Sequence, residues 1–192
     1  MVETQDVPSP LRGEPNAGLP SPAAVSVRGV TGVRVLSLRH LASGTAAVTA
    51  AVAAHGLAPL PEPGAFCGTD PWLVWAGPTE FLLLTTSSAV ADGVHRALAP
   101  GREALACVLD LSAGSRVLEL TGHGVRDVLP QLLDANAVPE QAGEGTRTRL
   151  VDIGTVVLRL ETDRVLLLLD QAYSVYAMHW ITQASGAGSG PA

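Results

Sequence analysis

The stretch VLDLSAGSRVLELTGHGVRDVL, Val108–Leu129, decides how the rest of the chain is read. Two runs rich in apolar and β-branched residues, ALACVLDLS (Ala104–Ser112) and SRVLELT (Ser115–Thr121), are broken at Ala113-Gly114. A histidine between two glycines then opens an amphipathic run, GVRDVLPQLLDA (Gly124–Ala135). The expectation is strand, turn, strand, corner, helix. Gly122 suits the backbone angles that end a strand abruptly, Gly124 lets the helix begin tightly, and Asp127 complements the positive end of the helix dipole. The corner does not complete a dinucleotide fingerprint, because Asp127 stands where GxGxxG needs its third glycine.

Working outward, VRVLSL (Val33–Leu38) alternates like a strand, and the alanine-rich TAAVTAAVAAHG (Thr45–Gly56) reads as a helix stopped by Gly56. A proline-punctuated loop, LAPLPEPGAFCGTD, precedes WLVWAGPTEFLLLTT (Trp72–Thr86), two apolar runs that form a hairpin around Ala76-Gly77-Pro78-Thr79. Ser87 or Ser88 caps the next helix, AVADGVHRALA, which Pro100-Gly101 ends. Beyond the opening stretch, RTRLVDI, TVVLRLET and RVLLLLD are strand candidates, and QAYSVYAMHWITQA closes the chain as a helix. In that last helix Tyr173, Tyr176, Ala177, Trp180 and Ile181 form one apolar stripe, expected to pack on a sheet. Runs of strands interrupted by single helices predict an α+β fold with mostly antiparallel sheets, organised as two ferredoxin-like, βαββ-type halves. Residues 1–22, rich in Pro, Gly and Ser, read as a disordered N-terminal arm, 23–184 as one domain, and 185–192 as a flexible tail.

Composition removes several function classes. The chain of 192 residues is 47% hydrophobic and 16% charged, with a net charge of −6, so it has a large core to build and no electrostatic case for nucleic acid. All of its basic residues are arginine, which rules out a Schiff-base or P-loop lysine. Cys67 and Cys107 match no zinc or CxxC spacing and read as reduced, buried thiols. The N-terminus lacks the basic and apolar regions of a secretory signal, and the longest apolar run, VLLLL, is far short of the ~20 residues that span a bilayer. A cytoplasmic protein without membrane contact is expected.

No residue pattern assembles a catalytic constellation, and no catalytic, cofactor-binding or metal-binding residue is assigned to this chain. His123 has no GxSxG nucleophile or orienting acid beside it, and His40, His55, His95 and His179 are singletons without metal-ligand spacing. The residues left over are candidates for contact with another chain. Trp72 and Trp75, three apart on a strand, face opposite sides, so one is core and the other exposed or docked. Arg147 and Arg149 share one strand face, either solvated or turned to an acidic partner. Arg116 follows Asp110 and Ser112 closely; the three either satisfy one another and their loop, or Arg116 makes an interface or anion contact. His123 and Arg126 lie together at the strand-to-helix corner.

Taken in order, WLVWAGPTEFLLL, VLDLSAGSRVLELTGHGVRDVL, TRTRLVDIGTVVLRL and AYSVYAMHWI resemble the γ-subunit family of heterotetrameric sarcosine oxidases, over about Val33 to Ala184. The family is related in fold to the folate-binding N-terminal part of the glycine-cleavage aminomethyltransferase. The resemblance implies a small, non-catalytic structural subunit packed with α, β and δ chains. Those partner chains would carry FAD, FMN, NAD, tetrahydrofolate and zinc and demethylate sarcosine, or a related secondary amine, oxidatively to glycine. The transferases place a catalytic aspartate in the loop after the helix; here the loop reads LLDANAV, with Asn136 at that place and Asp134 two residues before it. An amide does not stabilise a developing cation as a carboxylate does. The alternative, a stand-alone folate-binding or folate-dependent protein, needs an acid in its pocket from Asp110, Asp134 or Glu140. A small-molecule regulatory domain would need a discrete pocket near Gly122.

Overall fold

The computed structural model describes residues 25–99 and 105–186. The predicted arm at 1–22, the Pro100-Gly101 helix stop and most of the predicted tail lie outside those residues. Ser185, placed in the tail by the sequence, is instead buried at the end of the last helix, its hydroxyl donating to the Thr182 carbonyl at 2.9 Å.

Ten strands and four α-helices follow in chain order among the described residues: β1 (Ser26–Val30), β2 (Arg34–His40), α1 (Thr45–Ala53), β3 (Phe66–Cys67), β4 (Trp72–Gly77), β5 (Glu80–Thr85), α2 (Ser88–Ala97), β6 (Ala106–Asp110), β7 (Ser115–Thr121), α3 (Val125–Leu132), β8 (Gly145–Leu150), β9 (Ile153–Glu161), β10 (Arg164–Asp170) and α4 (Ser174–Ala184). They make two five-stranded, wholly antiparallel sheets, ordered β3-β4-β5-β2-β6 and β1-β7-β10-β9-β8. The α+β reading with two ferredoxin-like halves holds. In the first sheet, β2-α1-β4-β5-α2-β6 is a complete βαββαβ unit. In the second, β7-α3-β9-β10-α4 lacks its fourth strand, and β1 arrives from the other end of the chain to fill it, Val27 facing Leu120 and Gly29 facing Leu118.

The two sheets pack face to face with helices on both outer faces, and this explains the apolar runs. In β10, Leu166 and Leu168 point into the layer between the sheets while Val165, Leu167 and Leu169 lie under α3 and α4. A strand covered on both faces has no polar side, so RVLLLLD is continuous rather than alternating. Between the sheets, Val35, Val74, Leu82 and Leu84 meet Val117, Val156, Leu158 and Leu168. On the outer face of the first sheet, Leu36, Leu38, Leu73 and Leu83 pack against Val48, Val52, Ala91 and Val94 of α1 and α2.

Local chemistry sets the connections. Ser87 caps α2, its hydroxyl accepting from the Val90 N–H. Gly122 has φ +117°, a conformation in which a Cβ is strained, and Asp127 sits in the first turn of α3, as expected. One side of the sandwich is sealed where the sheets approach: the Phe66 N–H donates to Gly143 O at 3.1 Å and the Gly145 N–H to Gly64 O at 2.9 Å.

Several expectations change. The short strands β1 and β3 carry too little apolar pattern to stand out, and they form because a neighbour offers a ladder. The stripe predicted for α4 is split: Ala177 and Ile181 are buried, but Tyr173, Tyr176 and Trp180 are exposed. Two overlapping stripes share the same period on that helix, and α3 and the sheet leave room only for the smaller side chains. Cys107 is exposed and Cys67 half-buried, not the pair of buried thiols predicted; both are free.

Candidate interaction faces

The predicted contact residues fall on four separate places. Trp72 and Trp75 do face opposite sides of β4, Trp72 packing into the layer between the sheets and Trp75 against the helix-covered core, and both are half-buried. Arg116 lies on the helix-covered face of the second sheet, across Gly29; a Cβ on Gly29 would stand 2.4 Å from its Nη2. Arg116 does not join Asp110 and Ser112. Arg34, from β2, takes that place: its Nη2 donates to Asp110 Oδ2 at 2.6 Å and its Nε to Ser112 Oγ at 3.3 Å, while the Ser112 N–H donates to Asp110 Oδ1 at 2.9 Å. The hydrogen bond from the Ser112 hydroxyl, with the Ser112 amide and Arg34, outweighs partial burial and holds the Asp110 carboxyl below the usual range. The nearer guanidinium in sequence is the farther one in space, because β2 is the strand that pairs with β6.

His123 and Arg126 are both exposed at the corner before and within α3. Arg126 lies close enough to Arg159 to act on it electrostatically: burial, and then the like charge of Arg126, push the Arg159 guanidinium down. Arg159 itself is almost fully buried and holds the 134–145 loop, its Nε donating to Pro139 O at 2.6 Å and its Nη1 to Thr162 O.

Arg147 and Arg149 share the face of β8 that turns toward the first sheet. Arg147 crosses between the sheets: its Nη1 donates to Glu80 Oε2 at 2.9 Å, and the other Glu80 oxygen accepts from the buried Ser37 hydroxyl at 2.6 Å, with Arg39 Nε at 3.7 Å. Burial pushes the Glu80 carboxyl up, but the Ser37 and Arg147 hydrogen bonds and the charges of Arg147 and Arg39 outweigh it, so its pKa is lowered. A second buried acid, Glu119 of β7, is held between Arg28 and Arg164; burial pushes it up and the two guanidiniums bring it down further, below the usual range.

Beside Arg147 the sheets splay into an open cleft of about 610 Å³, floored by Leu82, Val156 and Leu168 and rimmed by Asp110 and Asp170. A second hollow, about 690 Å³, is lined by Arg147, Arg149 and Trp180 and places that exposed α4 aromatic next to the β8 arginines. The three candidate acids of a folate-dependent reading are apart: Asp110 is bound to Arg34 and Ser112, Asp134 accepts from the Asn136 N–H at 3.2 Å, and Glu140 is exposed in the following loop. Asn136 is exposed on a shallow hollow of about 160 Å³ beside Gly64 and Glu144. Among the described residues, no three His, Cys, Asp or Glu side chains are grouped to hold a metal ion, and no helix is long and apolar enough to cross a membrane.

The sequence reading missed the exposed faces of α4 and β6. The signal was present in and beside β6, where Leu105, Cys107, Leu109 and Leu111 alternate with Ala106, Val108 and Asp110. Only the pairing order shows that this strand ends its sheet.

Comparison with known proteins places these features in a family. No family model matches the chain. The sarcosine oxidase subunit gamma of Corynebacterium sp. (strain U-96) is 31% identical, with 91% of this chain and 90% of that protein covered. A chain of the heterotetrameric sarcosine oxidase from Corynebacterium sp. U-96, solved in complex with pyrrole 2-carboxylate, superposes with a TM-score of 0.75 at 28% identity, covering 91% of this chain and 90% of that one. The glycine cleavage system aminomethyltransferase T from Bartonella henselae shares the fold, with a TM-score of 0.61 at 13% identity over 83% of this chain and 46% of that one. By its sequence and its structure, this chain belongs to the γ-subunit family of sarcosine oxidase.

Proposed function

We propose that the chain is the small structural subunit of a heterotetrameric, flavin-dependent sarcosine oxidase-type complex in the cytoplasm. The observation that carries this is likeness over nearly the whole length of both proteins, in sequence and in structure, to the γ subunit and to a chain of the heterotetramer. In this reading α, β and δ chains carry FAD, FMN, NAD, tetrahydrofolate and zinc and demethylate sarcosine to glycine. This chain contributes shape, and its exposed apolar side chains support that role: Tyr173, Val175, Tyr176 and Trp180 at and just before α4, and Leu105, Leu109 and Leu111 in and beside β6. Of the residues predicted to make contacts, Arg149, His123 and Arg126 are the exposed ones best suited to a partner's acidic groups; Trp72, Trp75 and Arg116 serve mainly to build this chain, and Arg147 is shared with Glu80.

The test is co-expression with the sarcosine oxidase-type chains of the same genome. The expected result is a stoichiometric complex that retains flavin and oxidises sarcosine, with lower flavin retention when this chain is omitted. Separate elution, with flavin retention unchanged by its omission, refutes the proposal.

A further inference from the structure

β6 ends its sheet, pairing with β2 on one side only. The bonds from the Leu111 N–H to Val35 O and from the Leu41 N–H to Leu105 O fix the phase of that ladder. Antiparallel pairing alternates, so the backbone groups of Leu105, Cys107, Leu109 and Leu111 turn toward β2 and those of Ala106, Val108 and Asp110 turn outward. No strand or backbone bond among the described residues takes up the outward set. Exposed edges are usually blunted by lysine, proline, a bulge or an inward charge. From Leu105 to Leu111 there is no lysine, proline or bulge, and the one charge, Asp110, stands at the last position of β6 and is bound to Arg34. The face carries Leu105 at 51%, Leu109 at 45% and Leu111 at 40% exposure, with Cys107 also exposed. At its start a hollow of about 360 Å³, walled by Leu41, Leu105 and Cys107, is large enough for one bulky side chain.

Resting on the subunit reading above, we propose that an extended segment of a partner chain adds to β6 as the sixth strand of this sheet. Only another strand satisfies a row of free N–H and C=O groups; a helix has none to offer along its length. The apolar stripe calls for apolar side chains at alternate positions of that segment. Charge supplies a further requirement. Arg39 stands between Glu80 on β5 and the small Cys107 on β6; its side chain is 59% exposed, and Glu80, 3.7 Å from its Nε, is already bound more closely by Ser37 and Arg147. The added strand lies ~10 Å from β2, two strand spacings, within reach of an Arg–carboxylate pair. The partner segment therefore carries a carboxylate facing Arg39. A second copy of this chain would bring only Leu105, Cys107, Leu109 and Leu111 to that face and leave Arg39 with no acid beyond the Glu80 it shares with Arg147.

Amide hydrogen exchange, followed by NMR in the isolated chain and in the co-expressed complex, tests this. The Ala106, Val108 and Asp110 amides are expected to exchange rapidly in the isolated chain and to be protected about a hundredfold or more in the complex. Leu109→Lys and Val108→Pro are expected to weaken assembly by about tenfold or more while each variant keeps the circular dichroism of the wild-type chain. Protection already present in the isolated monomer overturns the inference, because this chain's own residues then cover the edge. So does protection that appears with self-association of the isolated chain. An intact complex in which the three amides stay unprotected overturns the added strand but leaves the subunit role standing. Failure of the wild-type chain to assemble at all removes both.

Discussion

Replacing Glu80 by glutamine keeps the size of the side chain and its place against Ser37 while removing the charge that ties the two sheets together through Arg147. The loss has two parts: the Ser37 hydrogen bond becomes a neutral one while the Arg147 bond keeps only its charged donor, and the charges of Arg147 and Arg39 lose their counter-ion. A hydrogen bond to a charged group contributes about 1.5–3 kcal/mol and a neutral one about 1. Both arginines are roughly half exposed, so solvent screens the remaining Coulomb interaction. The expected loss is about 1–2 kcal/mol at pH 7, a fall in Tm of about 2–8 °C for a chain of this length. The pH dependence identifies the cause. The folded-state pKa of Glu80 is lowered, so the native state binds its proton less readily than the unfolded state. The stabilisation is complete above the unfolded carboxylate pKa, about 4.3, and disappears as pH falls through the lower folded value. Urea titrations of the wild-type and Glu80→Gln chains, between pH 7 and pH 3, should therefore show a gap that narrows toward acid. A gap independent of pH, or equal stability at pH 7, would refute the reasoning.

Glu119→Gln should behave in the same sense, since its carboxyl is also held below the usual range by Arg28 and Arg164; a loss of about 1–2 kcal/mol at pH 7 that fades on acidification is the expected result in the same titration. Leu84→Ala empties a fully buried position between the sheets and should cost about 2–5 kcal/mol, read as a lower urea midpoint with an unchanged slope. Gly122→Ala forces a Cβ into φ +117° and should destabilise by about 1–3 kcal/mol, visible as a lower Tm with the same far-ultraviolet spectrum. Trp180→Ala, at a side chain 39% exposed, should change the stability of the isolated chain by less than about 1.5 kcal/mol yet weaken assembly with the partner chains by tenfold or more in a pull-down titration.

Much of the architecture was legible because it is written in local pattern. The turn glycines around the corner before α3, the Ser87 cap and the apolar runs of β5, β7, β9 and β10 each state their conformation within a few residues. The contact faces were less legible. Arg147 and Arg149 were placed on one strand face by period alone, but that this face meets Glu80 across the sandwich depends on how two sheets stack. The pairing of Asp110 with Arg34, rather than Arg116, depends on β2 lying beside β6.

By itself the sequence determined the element types, the absence of any lysine chemistry and the order of motifs that resembles the γ-subunit family, because residue composition and short-range period act through neighbours along the chain. Tertiary structure alone decided that β1 completes the second half, that β6 is left as an edge, and which of two overlapping stripes on α4 is buried. Those outcomes turn on strand pairing and on the space left between packed layers. Both are relations among residues far apart in sequence, and no local pattern encodes them.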